Sequence, residues 1–141
     1  MKKIVFALII VCLFASTGWG ASKSEDYVLQ ERCGKTAHDS FKEGYGNGYS
    51  SDSDGTHWIW TQRNHYNKKL NKCFILLHGY NVGKDNYTVS ESLYDINEEK
   101  EYGDFDKFND KGIMHIDCKV LDKFCESETE WEVLIKPYME E

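Results

Sequence analysis

Four cysteines, Cys33, Cys73, Cys118 and Cys125, constrain this chain more than any other feature, because an oxidising compartment joins such residues in pairs and a reducing one does not. The N-terminus indicates which compartment to expect. Lys2 and Lys3 form a positive start, Ile4 to Ala15 an apolar stretch, and Gly18-Trp19-Gly20 a small-x-small exit, so residues 1–20 read as a secretory signal and 21–141 as a single exported domain. The apolar run is too short to span a bilayer. The fifth cysteine, Cys12, follows Ile9-Ile10-Val11 and lacks the small residue before it and the polar chain after it that a lipid-anchored signal requires. The short Lys-Lys signal has a bacterial look, and the expected location is the periplasm or the medium, with no membrane anchor after cleavage.

An even set of four cysteines outside the cytoplasm favours two disulfides over free thiols or a metal site. Three connectivities are open. Cys33–Cys73 with Cys118–Cys125 is preferred, since the last two are close in sequence and flank a strand end and a helix start. On the chain-entropy account a loop of about forty residues contributes about 4 kcal/mol and one of about seven residues about 2.5 kcal/mol. Zinc ranks below this because no pair has C-x-x-C spacing. The charge moves with the signal: 17 Lys+Arg stand against 24 Asp+Glu, and loss of Lys2 and Lys3 leaves 15 against 24, a net −9. Such a surface argues against nucleic acid as a partner, and a chain with 40% apolar and 14% aromatic residues is too hydrophobic to stay disordered.

Periodicity then gives the elements. Ser24-Glu25-Asp26 offers a cap, after which Leu29, Cys33, Ala37 and Phe41 form one helical stripe that stops near Gly44. Gly44 to Gly55 has no apolar period and reads as an exposed loop. Thr56–Tyr66 and Lys72–Tyr80 read as strands around a reversal at Asn67–Asn71, Tyr87–Ile96 as a weaker strand, and Tyr102–Phe108 as a further candidate. Met114, Ile116, Cys118 and Val120 alternate with His115, Asp117 and Lys119, the pattern of a half-buried strand. Ser127-Glu-Thr-Glu130 is a capping box, and Trp131, Leu134, Ile135 and Tyr138 share one helical face, with Pro137 limiting the last turn. The predicted fold is α+β: an antiparallel meander of four to five strands flanked by an N-terminal and a C-terminal helix, held by two disulfides.

Several clusters could carry chemistry. His115-Ile-Asp117-Cys118 gathers three catalytic residue types, but a period of two sends His115 and Asp117 to one face and Cys118 to the other. Asp52-Ser-Asp54-Gly55 resembles part of a calcium loop, yet in that frame Ser50 stands at the first ligand position and Thr61 at the twelfth, so a solvated loop is the better account. With the hairpin centred near Lys69, His57 and His65 fall on one face and His78 on the other, which disfavours a three-histidine site. The same register places Ile59, Cys73, Ile75 and Leu77 under the first helix and gathers Trp58, Trp60, Phe74, Leu76, His78 and Tyr80 opposite. That aromatic face is either covered by the C-terminal helix through Trp131 and Leu134 or left open to a sugar ring or a partner's side chain, with Trp58, Trp60, His78 and Tyr80 as its binding residues. No catalytic residues, metal or cofactor are assigned, and no G-x-S-x-G elbow, P-loop or dinucleotide fingerprint is present.

His65-Tyr66-Asn67-Lys68-Lys69-Leu70-Asn71-Lys72-Cys73-Phe74, with Glu130-Trp131-Glu132 and Pro137-Tyr138-Met139 far downstream, resembles small exported bacterial proteins that carry an HYN-x-x-L-x-K-C-F segment and close on a helix ending in Tyr-Met. The likeness runs from Cys33 to the C-terminus and implies an exported domain without implying an activity. In size, acidity and disulfide content the chain also resembles the periplasmic inhibitors of lysozyme. The expectation is therefore a non-enzymatic binding or inhibitor module with a basic periplasmic or extracellular protein, or a glycan, as partner. The alternative is a small envelope hydrolase.

Overall fold

The computed structural model describes residues 21–51, 53, 55–82 and 87–140; residues 1–20, read above as a signal segment, lie outside them, as do Asp52 and Asp54 of the calcium-loop candidate. The chain runs as helix α1 (Ala21–Tyr45), strands β1 (Tyr49–Ser51), β2 (His57–Asn67), β3 (Lys72–Val82), β4 (Tyr87–Asp95), β5 (Lys100–Asp110), β6 (Ile113–Val120) and β7 (Lys123–Phe124), then helix α2 (Glu128–Met139). All strands pair with their sequence neighbours in one seven-stranded antiparallel sheet of order β1 to β7. The meander and its two helices are those predicted, but there are seven strands where four to five were expected. The extra two are the three-residue β1, inside the stretch read as a loop, and the two-residue β7, both too short to show a period.

The helices lie on opposite faces of the sheet. Alternation puts Phe74, Leu76, Leu93, Phe105, Cys118 and Val120 on one face, where Trp131 and Ile135 of α2 complete the main core; Trp131 stacks on Phe105 with ring centroids 5.9 Å apart. The other face carries Cys73, Ile75 and Leu77, on which α1 sets Cys33 and Ala37, with Phe41 and Tyr45 beside them. Both preferred disulfides are present. Cys33–Cys73 ties α1 to the sheet and Cys118–Cys125 ties β6 to the segment entering α2, with Cα separations of 5.4 and 5.1 Å.

The two halves of the HYN-x-x-L-x-K-C-F and Pro-Tyr-Met pattern meet in space. Buried Asn67 accepts from the Leu70 N–H, which shapes the reversal, and its amide donates to the Pro137 and Tyr138 carbonyls at 2.9 and 3.3 Å. Those carbonyls sit at the end of α2, where helical partners run out. Phe74 packs edge-on against Tyr138 and Tyr102, and Lys72 pairs with the buried Asp95 and with Glu98. Hydrogen bonds to Asp95 first and then Glu98 hold the Lys72 ammonium well above the usual lysine range.

The outer edge of β2 is guarded. Gln30 of α1 accepts from the Tyr66 N–H at 2.8 Å, and the Gly48 carbonyl accepts from the Trp60 N–H at 2.7 Å. Gly48 is required there: its φ is +78°, and a Cβ would stand 2.4 Å from the Trp60 carbonyl oxygen. Among the described residues, no helix is long and apolar enough to cross a membrane.

Candidate functional site

The hairpin register decides what can form a site. Tyr66 stands opposite Cys73 and Trp60 opposite Gly79, so the β2–β3 turn is centred between Lys69 and Leu70, half a residue beyond the predicted centre. That moves the pairing by one position and turns every β2 side chain to the other face relative to β3. The predicted aromatic surface therefore does not exist as one face. Trp58 and Trp60 lie with Ile75 and Leu77 on the α1 side, His78 and Tyr80 lie on the α2 side, and Ile59, expected beneath α1, is 48% exposed. The reason is the turn: residues 68 to 71 form a four-residue connection, with Asn71 at φ +53° closing it.

On the α1 side the tryptophans complete an aromatic row. Phe41 stacks on Tyr45 at 5.4 Å, Tyr45 meets Trp60 at 4.7 Å, and Trp60 stacks on Trp58 at 5.3 Å. Gly79 makes room for the Trp60 ring, since a Cβ at that position would come within 2.3 Å of it. Helix α1 lies over β2 and β3 and leaves β4 to β6 open on this face. Where its flank ends, a cleft of about 600 Å³ opens between the helix residues Thr36, Asp39, Ser40 and Glu43 and the strand residue Tyr94. Ile75, Leu77, Phe41 and Tyr45 supply an apolar floor and wall, and Glu99 from the β4–β5 turn closes one end.

The open half of this face is acidic. Glu101 pairs with Tyr94, Asp104 with Ser92 and Lys119, and Asp106 with Ser90 and Asp117, so four carboxylates share a small area with one lysine. Burial, followed by the charges of Glu101, Asp117 and Asp106, pushes the Asp104 carboxyl above the usual aspartate value against the pull of Lys119. Burial and a hydrogen bond with Glu101 push the Tyr94 phenol up to about 12, and burial raises that of Tyr45. The arrangement can attract and seat a cation. These residues escaped the sequence reading because Tyr87–Ile96 has a weak pattern, although Asp104-Phe-Asp106 already places both aspartates on the face opposite Phe105.

The α2 side holds a different cluster. Thr61, His78 and Glu91 stand in one cross-strand row. Glu91 accepts from the indole N–H of buried Trp131 through one oxygen and meets His78 Nδ1 at 2.7 Å through the other. A carboxylate only accepts, so Nδ1 carries the hydrogen in this contact and the Nε2 edge of the ring is turned away from Glu91. A recess of about 290 Å³ bounded by Thr61, Arg63, His78 and Glu132 opens beside it. The register brings His57 and His65 to the same face as His78, contrary to the expected split. Each is nonetheless four residues along β2 from Thr61, about 13 Å, and so out of reach of a shared ligand. His115 and Asp117 are exposed while Cys118 is buried in its disulfide, but Met114 and Ile116, expected on the buried face with Cys118, are exposed as well, so only the Cys118–Val120 end of β6 is half-buried. No protein-family model, no curated protein and no solved structure matches this chain.

Proposed function

We propose that this protein is an exported, non-enzymatic binding or inhibitor module whose α1 side docks a basic protein in the periplasm or the medium. The observation that carries the reading is the open acidic surface of Glu101, Asp104, Asp106 and Asp117, with Lys119 as the one cation among them and the cleft rimmed by Asp39, Glu43 and Glu99 alongside. Like charges held together on a folded surface cost stability, and an incoming cationic surface relieves that cost while the net negative charge speeds encounter. The bulk likeness to lysozyme inhibitors makes a basic lysozyme the first partner to try.

The test is titration of a basic lysozyme into the oxidised protein at about 20 mM and about 200 mM salt, where screening lengths differ roughly threefold. Binding is expected to weaken at the higher salt, and Asp104→Lys with Asp106→Lys to weaken it at least about tenfold with the fold retained. Binding indifferent to both changes would overturn this reading for that partner, and retention of no basic protein from periplasm would overturn it generally.

A second reading is supported by the Trp131–Glu91–His78 chain, which positions an imidazole as a general base beside a recess, as a small hydrolase would require. Turnover of an ester or glycoside that His78→Gln abolishes would favour it.

A further inference from the structure

We infer that the cleft between α1 and β4 is the seat of one arginine side chain of the basic partner, an assignment that rests on the docking function proposed above and gives it an anchor. The cavity has two chemistries that few occupants satisfy together. Its floor, Ile75 and Leu77, is apolar and buried, and the rings of Phe41, Tyr45 and Tyr94 flank it. Its rim carries Asp39, Glu43 and Glu99, and among the described residues none of these three forms an ion pair. Lys72, whose partner Asp95 also borders the cleft, is committed to Asp95 and Glu98.

An apolar side chain would fill the floor and strip water from the rim carboxylates without replacing it. An anion would be repelled, both by the rim and by the neighbouring Glu101 and Asp104. A long cationic side chain lays its methylenes on Ile75 and Leu77 and brings its head to the rim. Arginine fits better than lysine, because a planar guanidinium stacks on tyrosine faces, forks onto carboxylates and gives up water more readily than an ammonium. The carboxylates of β5 and β6 lie beyond the mouth and meet further positive charge on the partner. The cleft thus holds one side chain while the strip steers the rest of the surface.

The test uses short blocked peptides Gly-Arg-Gly, Gly-Lys-Gly and Gly-citrulline-Gly, titrated into the oxidised protein and followed by amide shifts of α1, β4 and the β4–β5 turn. Citrulline keeps the shape of arginine and removes the charge. The arginine peptide is expected to bind at least about tenfold more tightly than the citrulline one, and several-fold more tightly than the lysine one. Ser40→Trp, at an exposed position on the cleft wall, is expected to abolish the arginine shifts while leaving the fold intact. Equal binding of arginine and citrulline peptides, or arginine binding unaffected by Ser40→Trp, would overturn the assignment, and parity of lysine with arginine would overturn the choice of guanidinium. Because the peptides need no partner protein, the outcomes separate. Peptide binding without any basic protein partner would sink the docking function alone, whereas lysozyme binding untouched by Ser40→Trp would sink the arginine seat alone.

Discussion

At the scale of single residues, the acidic strip makes a claim about pH. The Asp104 carboxyl titrates above its unfolded value of 3.8, so the folded protein holds that proton more tightly than the unfolded chain does. The stability gained from this group is therefore complete below the unfolded value. It is lost as pH rises from there through the raised folded value, leaving Asp104 a liability at neutral pH. Asp104→Asn removes a half-buried charge while keeping its size. It is expected to raise the melting temperature by a few degrees near pH 7, as relief of like-charge neighbours worth about 0.2–1 kcal/mol would give, and to change it little near pH 3. Thermal melts of the two proteins across that range decide it, and a gain that persists at pH 3 would mean that packing, not charge, is responsible. Asn67 shows the opposite kind of residue, whose three hydrogen bonds all serve the fold. Its place in the His-Tyr-Asn segment is explained by closing the end of α2, which needs no ligand.

At the scale of elements, α2 is the one most legible in the sequence, and it forms as its capping box dictates. Ser127 has extended φ and ψ and its hydroxyl accepts from the Glu130 N–H at 3.2 Å, while the Glu130 side chain reaches back one residue further than the usual box, to the Glu126 N–H at 2.8 Å. Ser127→Ala is expected to cost about 1 kcal/mol in urea unfolding, with Ser127→Gly costing only a few tenths. β6 was legible as a strand, but only its C-terminal half follows the expected burial: Cys118 and Val120 are buried, whereas Met114 and Ile116 of the same apolar set are exposed, because they lie beyond the part of the sheet that α2 covers. The β2–β3 pair was legible as two strands but not in register. Asn67-Lys-Lys-Leu-Asn71 contains no glycine to mark its centre, and both candidate centres bury a plausible set of side chains, aromatic in one case and mixed in the other. Half a residue at that turn decided whether Trp58 and Trp60 belonged with His78 or with Tyr45. The candidate site suffered most, since the cleft depends on which strand lies beside α1, and no local pattern in either element encodes that.

At the scale of the molecule, the sheet separates two cores of unequal size. Nine buried residues, from Phe74 through Trp131 and Ile135, form the one beneath α2, whereas Ala37, Ile75 and Leu77 form the one beneath α1. Buried apolar contact is what keeps a layer closed, so α1 should open before the sheet and α2 do. The Cys33–Cys73 bridge offsets this by pinning the thin layer at one point, its loop of forty residues being worth about 4 kcal/mol on the chain-entropy account. Native-state hydrogen exchange is expected to show α1 amides exchanging through a partial opening. Amides of β3 to β5 and α2 are expected to exchange only at the global free energy. Replacing both Cys33 and Cys73 by serine should widen that gap and leave the α2 layer protected. Equal protection of the two helices in the oxidised protein would contradict this division. The thin layer is also the one that forms the cleft wall, so a ligand bound there must stabilise α1 selectively, by an amount that grows with the logarithm of its concentration above the dissociation constant. An arginine peptide or a basic partner that protects α1 while leaving β5 and α2 unchanged would locate its site by energetics alone, independently of any shift or substitution. Protection spread evenly over both layers would place the contact elsewhere.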